Sequence, residues 1–164
     1  MTTKTVGHLT ITTPSDREIV MTRVFDAPRT LVWEAHTKPE LVKRWLGVFG
    51  DWTLDVCEID LRPGGKGRYV WRNGKNGQEM GMTMTYREIT APERIVENEK
   101  FDDAWYEGEA LGTLTLAEKD GRTTLTSAVL YDTKEIRDAV LASPMETGVA
   151  ASYDVLAELL ARTA

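Results

Sequence analysis

The feature that most constrains the fold is a run of strand-like segments joined only by short turns. Six segments between Trp52 and Tyr131 alternate at period two and are rich in Thr, Val, Tyr and Trp, which is typical of β-strands. They are WTLDVCEIDL, KGRYVWRN, EMGMTMTYREI, RIVENEKF, EALGTLTLAE and RTTLTSAVLY. Because links as short as Pro63-Gly64-Gly65 and Asp120-Gly121 allow only antiparallel neighbours, the sequence predicts an antiparallel meander.

A further strand and two short helices are predicted before this run. The segment EIVMTRVF, from Glu18 to Phe25, has strand character and ends just before Pro28, a residue suited to a helix start. Residues 29–36 predict the first short helix. Thr37 as N-cap and Glu40 three residues later form a capping-box pattern, which predicts a second short helix.

Helix signals return after the last strand candidate. Residues 132–141 predict a short helix with Asp132 as its cap, and Ser143-Pro144-Met145-Glu146 predicts the start of a long final helix. A sheet with one apolar face needs a cover, and only this final helix is long enough. We therefore expect an α+β fold in one domain, residues 1–164, with residues 1–15 loosely ordered.

Composition excludes several classes of function. The formal net charge of −6, with Lys and Arg scattered along the chain, argues against nucleic-acid binding, which needs a clustered basic face. The single cysteine, Cys57, cannot form an intramolecular disulfide. No apolar run could span a bilayer and no secretory segment opens the chain, so a cytoplasmic location is expected. His8 and His36 lack a second ligand at metal spacing, and no cofactor or metal is predicted.

The final helix has an unusual buried stripe. The residues that share one face at helical spacing are Met145, Gly148, Val149, Ser152, Leu156 and Leu159. The stripe is bulky towards the C-terminus but small at Gly148 and Ser152. Two explanations remain open from the stripe itself: close packing of the helix against the sheet, or space left beneath the first half of the helix.

Three blocks of sequence resemble a known superfamily. The blocks VFDAPRTLVWEAHTKPELVKRWLG, IDLRPGGKGRYVWR and SPMETGVAASYDVLAELL resemble the bacterial START-like (SRPBCC) proteins. Within that superfamily they are similar to the branch homologous to the C-terminal domain of the activator of heat-shock protein 90 ATPase. The resemblance implies a helix-grip fold, in which a curved antiparallel sheet of about seven strands surrounds the long C-terminal helix with a cavity between them. It favours the second explanation of the small residues.

Two strands carry residues that could line such a cavity. Met80, Met82, Met84 and Tyr86 alternate along one strand and share a face, and adaptable methionines occur both in ordinary cores and in apolar binding sites. Glu97 and Glu99 also alternate. They point inward if Ile95 and Phe101 do, where a raised pKa would suit acid–base chemistry, and they are solvated if Val96 points inward instead.

The leading hypothesis is a protein that binds a small, largely apolar molecule in the cavity. The predicted ligand-binding residues are Trp45, Trp71, Met82, Met84, Glu99, Trp105, Met145, Val149 and Ser152. One alternative is a chaperone cofactor with a heat-shock protein 90 homologue as partner, which follows from the family name. Another is a cyclase or hydrolase in which Glu99 is the catalytic candidate, although no nucleophile motif supports an enzyme. An exposed edge strand would also allow a homodimer.

Overall fold

The computed structural model describes residues 2–102 and 108–163. The elements in chain order are β1 (Thr3–Val6), β2 (Leu9–Thr12), β3 (Glu18–Phe25), α1 (Arg29–Thr37), α2 (Pro39–Val42), β4 (Trp52–Ile59), β5 (Lys66–Asn73), β6 (Glu79–Thr90), β7 (Arg94–Phe101), β8 (Ala110–Lys119), β9 (Arg122–Leu130), α3 (Lys134–Ala142) and α4 (Met145–Thr163). Within these ranges no helix combines the length and apolar character needed to cross a bilayer.

The strands form one curved antiparallel sheet in the order β1-β2-β3-β9-β8-β7-β6-β5-β4. All six predicted meander strands are present and pair with their sequence neighbours, as the short turns require. The expected α+β class and the long C-terminal helix are confirmed. β1 and β4 are the two edges of the sheet, so each leaves one side of its backbone unpaired.

The predicted number of about seven strands is wrong, because the described residues contain nine. The two extra strands, β1 and β2, form a hairpin within the segment that the sequence predicted to be loosely ordered. Leu9 and Ile11 are fully or almost fully buried on its inner side. β2 pairs with β3, with Ile11 opposite Met21, so the hairpin extends both the sheet and the core.

The short helices form where predicted, but with different caps. Thr37 is the last residue of α1 rather than the cap of α2, and its Oγ1 donates a hydrogen bond of 2.8 Å to the Trp33 carbonyl. Helix α2 is a single turn that begins at Pro39. Helix α3 is capped by Thr133 rather than Asp132, because Thr133 Oγ1 accepts the Ile136 amide at 3.1 Å.

The core lies between the inner face of the sheet and the helices. Tyr153 and Leu156 of α4 pack in one cluster with Leu116 and Leu125 from the middle of the sheet. A second cluster, which includes Val42, Leu54, Trp71, Met82 and Met84, lies under α2 towards the β4 edge, whereas Met80 of β6 is exposed. The helix α4 therefore covers the sheet as predicted, and the inner face of β6 and β7 lies between the two clusters.

Candidate functional site

Strand pairing determines which face of the sheet carries Glu97 and Glu99. Residues directly opposite each other in an antiparallel pair point to the same face. Glu97 lies opposite Tyr86 and Glu99 lies opposite Met84, both of which are buried on the inner face. Both carboxylates therefore point inward, and the alternative in which they are solvated is wrong.

Glu97 and Glu99 form a carboxyl pair in the interior. Their side chains are close enough to share a hydrogen bond when one of them carries a proton. Burial raises the pKa of Glu99 to about 7. Burial, together with the neighbouring Glu99 carboxylate, raises the pKa of Glu97 well above its ordinary value. At neutral pH the pair therefore holds at least one proton, because two adjacent charges in a poorly hydrated site repel each other.

Three tyrosines surround the carboxyl pair. Burial and the charge of Glu97 raise the pKa of Tyr86. Tyr86 on β6 lies directly opposite Glu97 on β7. Burial is also the main cause of the raised pKa of Tyr69 on β5 and of Tyr153 on α4, with Glu99 contributing to both. The phenols remain neutral in the physiological range, so they offer hydroxyl groups that both donate and accept hydrogen bonds.

Small residues make room for these polar groups. Ala110 lies opposite Glu99 and Gly112 lies opposite Glu97 on β8. A Cβ atom at Gly112 would lie 2.8 Å from Glu99 Oε2, and a Cβ atom at Gly67 would lie 2.6 Å from the Tyr86 hydroxyl. Larger side chains at these glycines would therefore displace the carboxylate or the phenol. The glycines allow the polar side chains to occupy the inner face.

The side chains of the carboxyl pair are only partly buried. β7 is an internal strand, with β6 on one side and β8 on the other, and helix α4 approaches its inner face through Tyr153. Glu97, Glu99 and Phe101 are nevertheless half-buried rather than buried. These three side chains therefore keep part of their surface accessible, although a helix approaches this face of the sheet.

The small residues of α4 have a packing role. A Cβ atom at Gly148 would lie 3.2 Å from the Phe49 ring, which belongs to the loop between α2 and β4. Ser152 Oγ donates a hydrogen bond of 2.8 Å to the Trp45 carbonyl and accepts one of 2.7 Å from the Gly47 amide. The loop of residues 43–51 therefore occupies the space beside Gly148 and Ser152. The helix packs closely at both positions, but against this loop rather than against the sheet, so neither explanation is correct as stated.

The structure separates the predicted binding residues into two groups. Trp71, Met82 and Met84 belong to the cluster under α2, and Trp71 Nε1 donates a hydrogen bond of 2.9 Å to the Leu46 carbonyl. Trp45 belongs to the main cluster, where its Nε1 donates to the Ala35 carbonyl at 2.8 Å. The remaining members are placed as follows: Met145 and Val149 are half-buried against the main cluster, Ser152 is buried under the loop, and Trp105 lies outside the described residues.

Tyr153 is one of three buried residues of α4 that the sequence stripe missed, together with Ala150 and Leu160. It stacks on Trp45 with ring centroids 5.8 Å apart, it contacts the edge of Phe25 at 5.8 Å, and its phenol lies near Glu99. Its spacing offered a signal, because Tyr153 follows Val149 by four residues and precedes Leu156 by three. The buried face of α4 is thus rotated slightly towards Tyr153 relative to the face predicted from the sequence.

The described residues offer proton chemistry rather than a metal centre. No group of three or more His, Cys, Asp or Glu side chains in residues 2–102 and 108–163 has the arrangement to hold a metal ion. His36 lies near the site, and burial lowers its pKa to about 4 even though its Nδ1 is 2.8 Å from the Val32 carbonyl. His36 is therefore neutral at physiological pH. The group that gains or loses a proton near neutral pH is the pair of Glu97 and Glu99.

A sheet that wraps a C-terminal helix defines the START-like class of α+β proteins. The family model for Activator of Hsp90 ATPase homolog 1-like protein matches residues 26–161, so this chain belongs to that family. The matched region includes α1, all strands from β4 to β9 and most of α4. It also includes the carboxyl pair.

Solved structures from several bacteria share the fold. A protein from Rhodobacter sphaeroides is 34% identical, and the similarity covers 94% of this chain and 99% of that chain with a TM-score of 0.88. A protein from Chromobacterium violaceum is 26% identical over 87% of this chain and 96% of that chain, with a TM-score of 0.75. An HSP90 activator from Plasmodium falciparum is 24% identical over 70% of this chain and 72% of that chain, with a TM-score of 0.52. No protein of curated function matches the sequence.

Proposed function

We propose that this protein binds a small, largely apolar molecule with one hydrogen-bonding group, between the inner face of β6–β8 and helix α4. The observation that carries the proposal is the half-buried carboxyl pair at the centre of a covered apolar face. Burying two carboxylates is unfavourable by several kcal/mol unless their polar atoms find partners. A bound hydroxyl, amine or carbonyl would provide such a partner.

The surroundings of the pair set the chemistry of the ligand. Met82 and Met84 provide an adaptable apolar wall on one side. Protonated Glu97 or Glu99 can donate a hydrogen bond to a carbonyl, and the ionised partner can accept one from a hydroxyl or an amine. A strongly anionic group is disfavoured there, because it would face a carboxylate in a poorly hydrated site. The proposed ligand is therefore neutral or cationic, with an apolar body.

Native mass spectrometry of freshly purified protein tests this function directly. A co-purified small molecule would appear as an added mass that is lost on denaturation. In a second assay the neutral dye Nile red serves as the probe, and saturable fluorescence enhancement is expected. Ala110→Phe should fill the space beside Glu99 and weaken dye binding about tenfold or more.

A matched control separates the pocket from the rest of the sheet. Ala128 on β9 lies opposite Thr113, on the face of the sheet that turns away from the carboxyl pair. Ala128→Phe should leave dye affinity within about twofold of the wild type. Equal weakening by Ala110→Phe and Ala128→Phe, or no saturable dye binding at all, would contradict the proposed pocket.

The family description favours a second candidate function, a cofactor for an Hsp90 chaperone. The matching family model is described by that activity, and one solved structure with the same fold is an HSP90 activator from Plasmodium falciparum. This candidate predicts a direct complex with a bacterial Hsp90 homologue and a higher ATPase rate in its presence. An unchanged ATPase rate together with no complex by analytical ultracentrifugation would exclude it.

A further inference from the structure

Arg23 is a buried cation with an unfilled hydrogen-bonding position. It lies on β3, is 7% exposed, and its Nη1 donates a hydrogen bond of 2.7 Å to Asp154 Oδ1 on α4. Its Nε is the one buried side-chain nitrogen or oxygen in residues 2–102 and 108–163 that has no hydrogen-bond partner. An unsatisfied N–H on a buried charged group is strongly unfavourable, so an acceptor that reached Arg23 Nε would be bound favourably.

A cavity opens next to this guanidinium group. It has a volume of about 510 Å³ and lies among β3, the β1–β2 turn, the start of β9 and the last turns of α4. β2 pairs with β3 only from Val20 to Thr22, so the backbone beyond Thr22 is not covered by the hairpin. The cavity therefore follows from the length of β2, which stops pairing before it reaches Arg23.

The cavity combines apolar walls with charged side chains of both signs. Phe25 and Leu160 contribute apolar surface, and the Arg23 guanidinium lies over the Phe25 ring at 5.2 Å. Arg122 lies at the mouth, where its closest carboxylate contact is Asp26 at 4.0 Å between Nε and Oδ1, an exposed and weak pair. Arg23 and Arg122 thus face one cavity, which the Asp26 carboxylate also lines.

We propose that this cavity, here called the Arg23 cavity, binds a small organic carboxylate. Its head group would interact with Arg122 and, after a shift of the Arg23 side chain that exposes its buried Nε, accept a hydrogen bond from that nitrogen, while its apolar tail would lie against Phe25 and Leu160. A carboxylate fits because two oxygens in one plane match the geometry of a guanidinium edge. The apolar walls favour an organic acid over inorganic phosphate, which has no tail to bury. This site is separate from the carboxyl pair and would take a ligand of the opposite charge.

Titration calorimetry with three probes tests the chemistry of the site. Hexanoate should bind saturably. Hexanamide, which has the same tail without the charge, should bind with an affinity at least about tenfold lower, because charge-assisted hydrogen bonds are about twice as strong as neutral ones. Inorganic phosphate should bind more weakly than hexanoate. Equal affinity for hexanoate and hexanamide, tighter binding of phosphate, or no saturable binding of hexanoate would each overturn the proposal.

Variants place the bound molecule at the Arg23 cavity. Arg122→Gln changes an exposed residue, so it should fold normally and weaken hexanoate binding about threefold to tenfold. Arg44→Gln is the matched control, because Arg44 is exposed and is not among the residues that line the cavity, and its affinity should equal that of the wild type. Arg23→Lys keeps the charge but removes the planar donor pair, and should reduce affinity further if thermal unfolding shows that it folds. Equal affinity in Arg122→Gln and Arg44→Gln would refute the placement.

An NMR titration gives a readout that does not depend on any substitution. On addition of hexanoate, amide shifts should change at residues 23–26 and 157–161, which border the cavity. Shift changes confined to β6–β8 would instead place hexanoate at the carboxyl pair and overturn the Arg23 assignment.

Discussion

The shared proton of Glu97 and Glu99 makes a quantitative prediction about stability. The pKa of Glu99 rises from 4.5 to about 7 on folding. Between these values the folded chain retains a proton that the unfolded chain has released, so the free energy of unfolding falls as the pH rises. Each pKa unit corresponds to about 1.4 kcal/mol, so the loss attributable to Glu99 reaches about 3 kcal/mol by pH 7. The pKa of Glu97 is also raised, which extends the decline to higher pH.

Glu99→Gln tests this prediction because a neutral amide is close in shape to a protonated carboxyl group. The variant should be more stable than the wild type above about pH 7, with a difference of about 1 to 3 kcal/mol that shrinks towards pH 5. Urea denaturation from about pH 5 to about pH 8.5 measures the difference at each pH. Glu79→Gln, which removes an exposed carboxylate at the start of β6, is the control and should change stability by less than about 0.5 kcal/mol.

The comparison must be made between variant and wild type at each pH, because His36 acts in the opposite direction at low pH. Its pKa falls from 6.5 to about 4 on folding, so its contribution to stability is lost as the pH drops from 6.5 towards 4. A Glu99→Gln difference that is constant with pH, or that grows towards low pH, would refute the shared proton. It would also remove the main support for a neutral or cationic ligand at the pair.

Three further predictions concern the residues around the site. His36→Gln should flatten the acid limb of the stability profile by up to about 3 kcal/mol between pH 6.5 and pH 4, as measured by urea denaturation; an unchanged acid limb would contradict the neutral state of the buried imidazole. Gly47→Ala should be destabilising by more than about 3 kcal/mol, because φ is +68° and the new Cβ would collide with Trp71 Nε1. The control Gly50→Ala, at φ +59° with open space around it, should lose only about 1 kcal/mol. Equal losses in thermal unfolding would contradict the close approach of Gly47 to Trp71. Ser152→Ala should lose about 1 to 3 kcal/mol, because it removes the acceptor of the Gly47 amide, and a neutral result would show that the loop is held by other contacts.

The strands of the meander were predictable because their signals are local. Period-two alternation and glycine-rich turns act within a few residues, and they produced β4 to β9 in the predicted order. β1 and β2 were missed for the opposite reason. Leu9 and Ile11 are the only buried residues of that hairpin, so it owes its place to the edge of β3 rather than to its own pattern.

The orientation of Glu97 and Glu99 depended on information outside their own strand. Ile95 and Val96 are adjacent and should point to opposite faces, yet both are buried, at 5% and 8% exposure. Hydrophobicity around the pair therefore could not decide which face is inside. The pairing with Tyr86 and Met84 decided it, and that pairing depends on the register of the whole sheet.

The polar groups of the interior differ in how well the fold satisfies them. Ser152 and the indole N–H groups of Trp45 and Trp71 each bond to a backbone carbonyl, so they hold the loop in place and need no ligand. The carboxyl pair and Arg23 differ, because the pair must retain a proton to remain buried and the Nε of Arg23 has no hydrogen-bond acceptor. Replacing such groups with apolar residues of similar volume is commonly neutral or stabilising, so packing alone does not require them. Under the two proposals above, these environments would take ligands of different charge, and helix α4 contributes Tyr153 to one of them and Asp154 to the other.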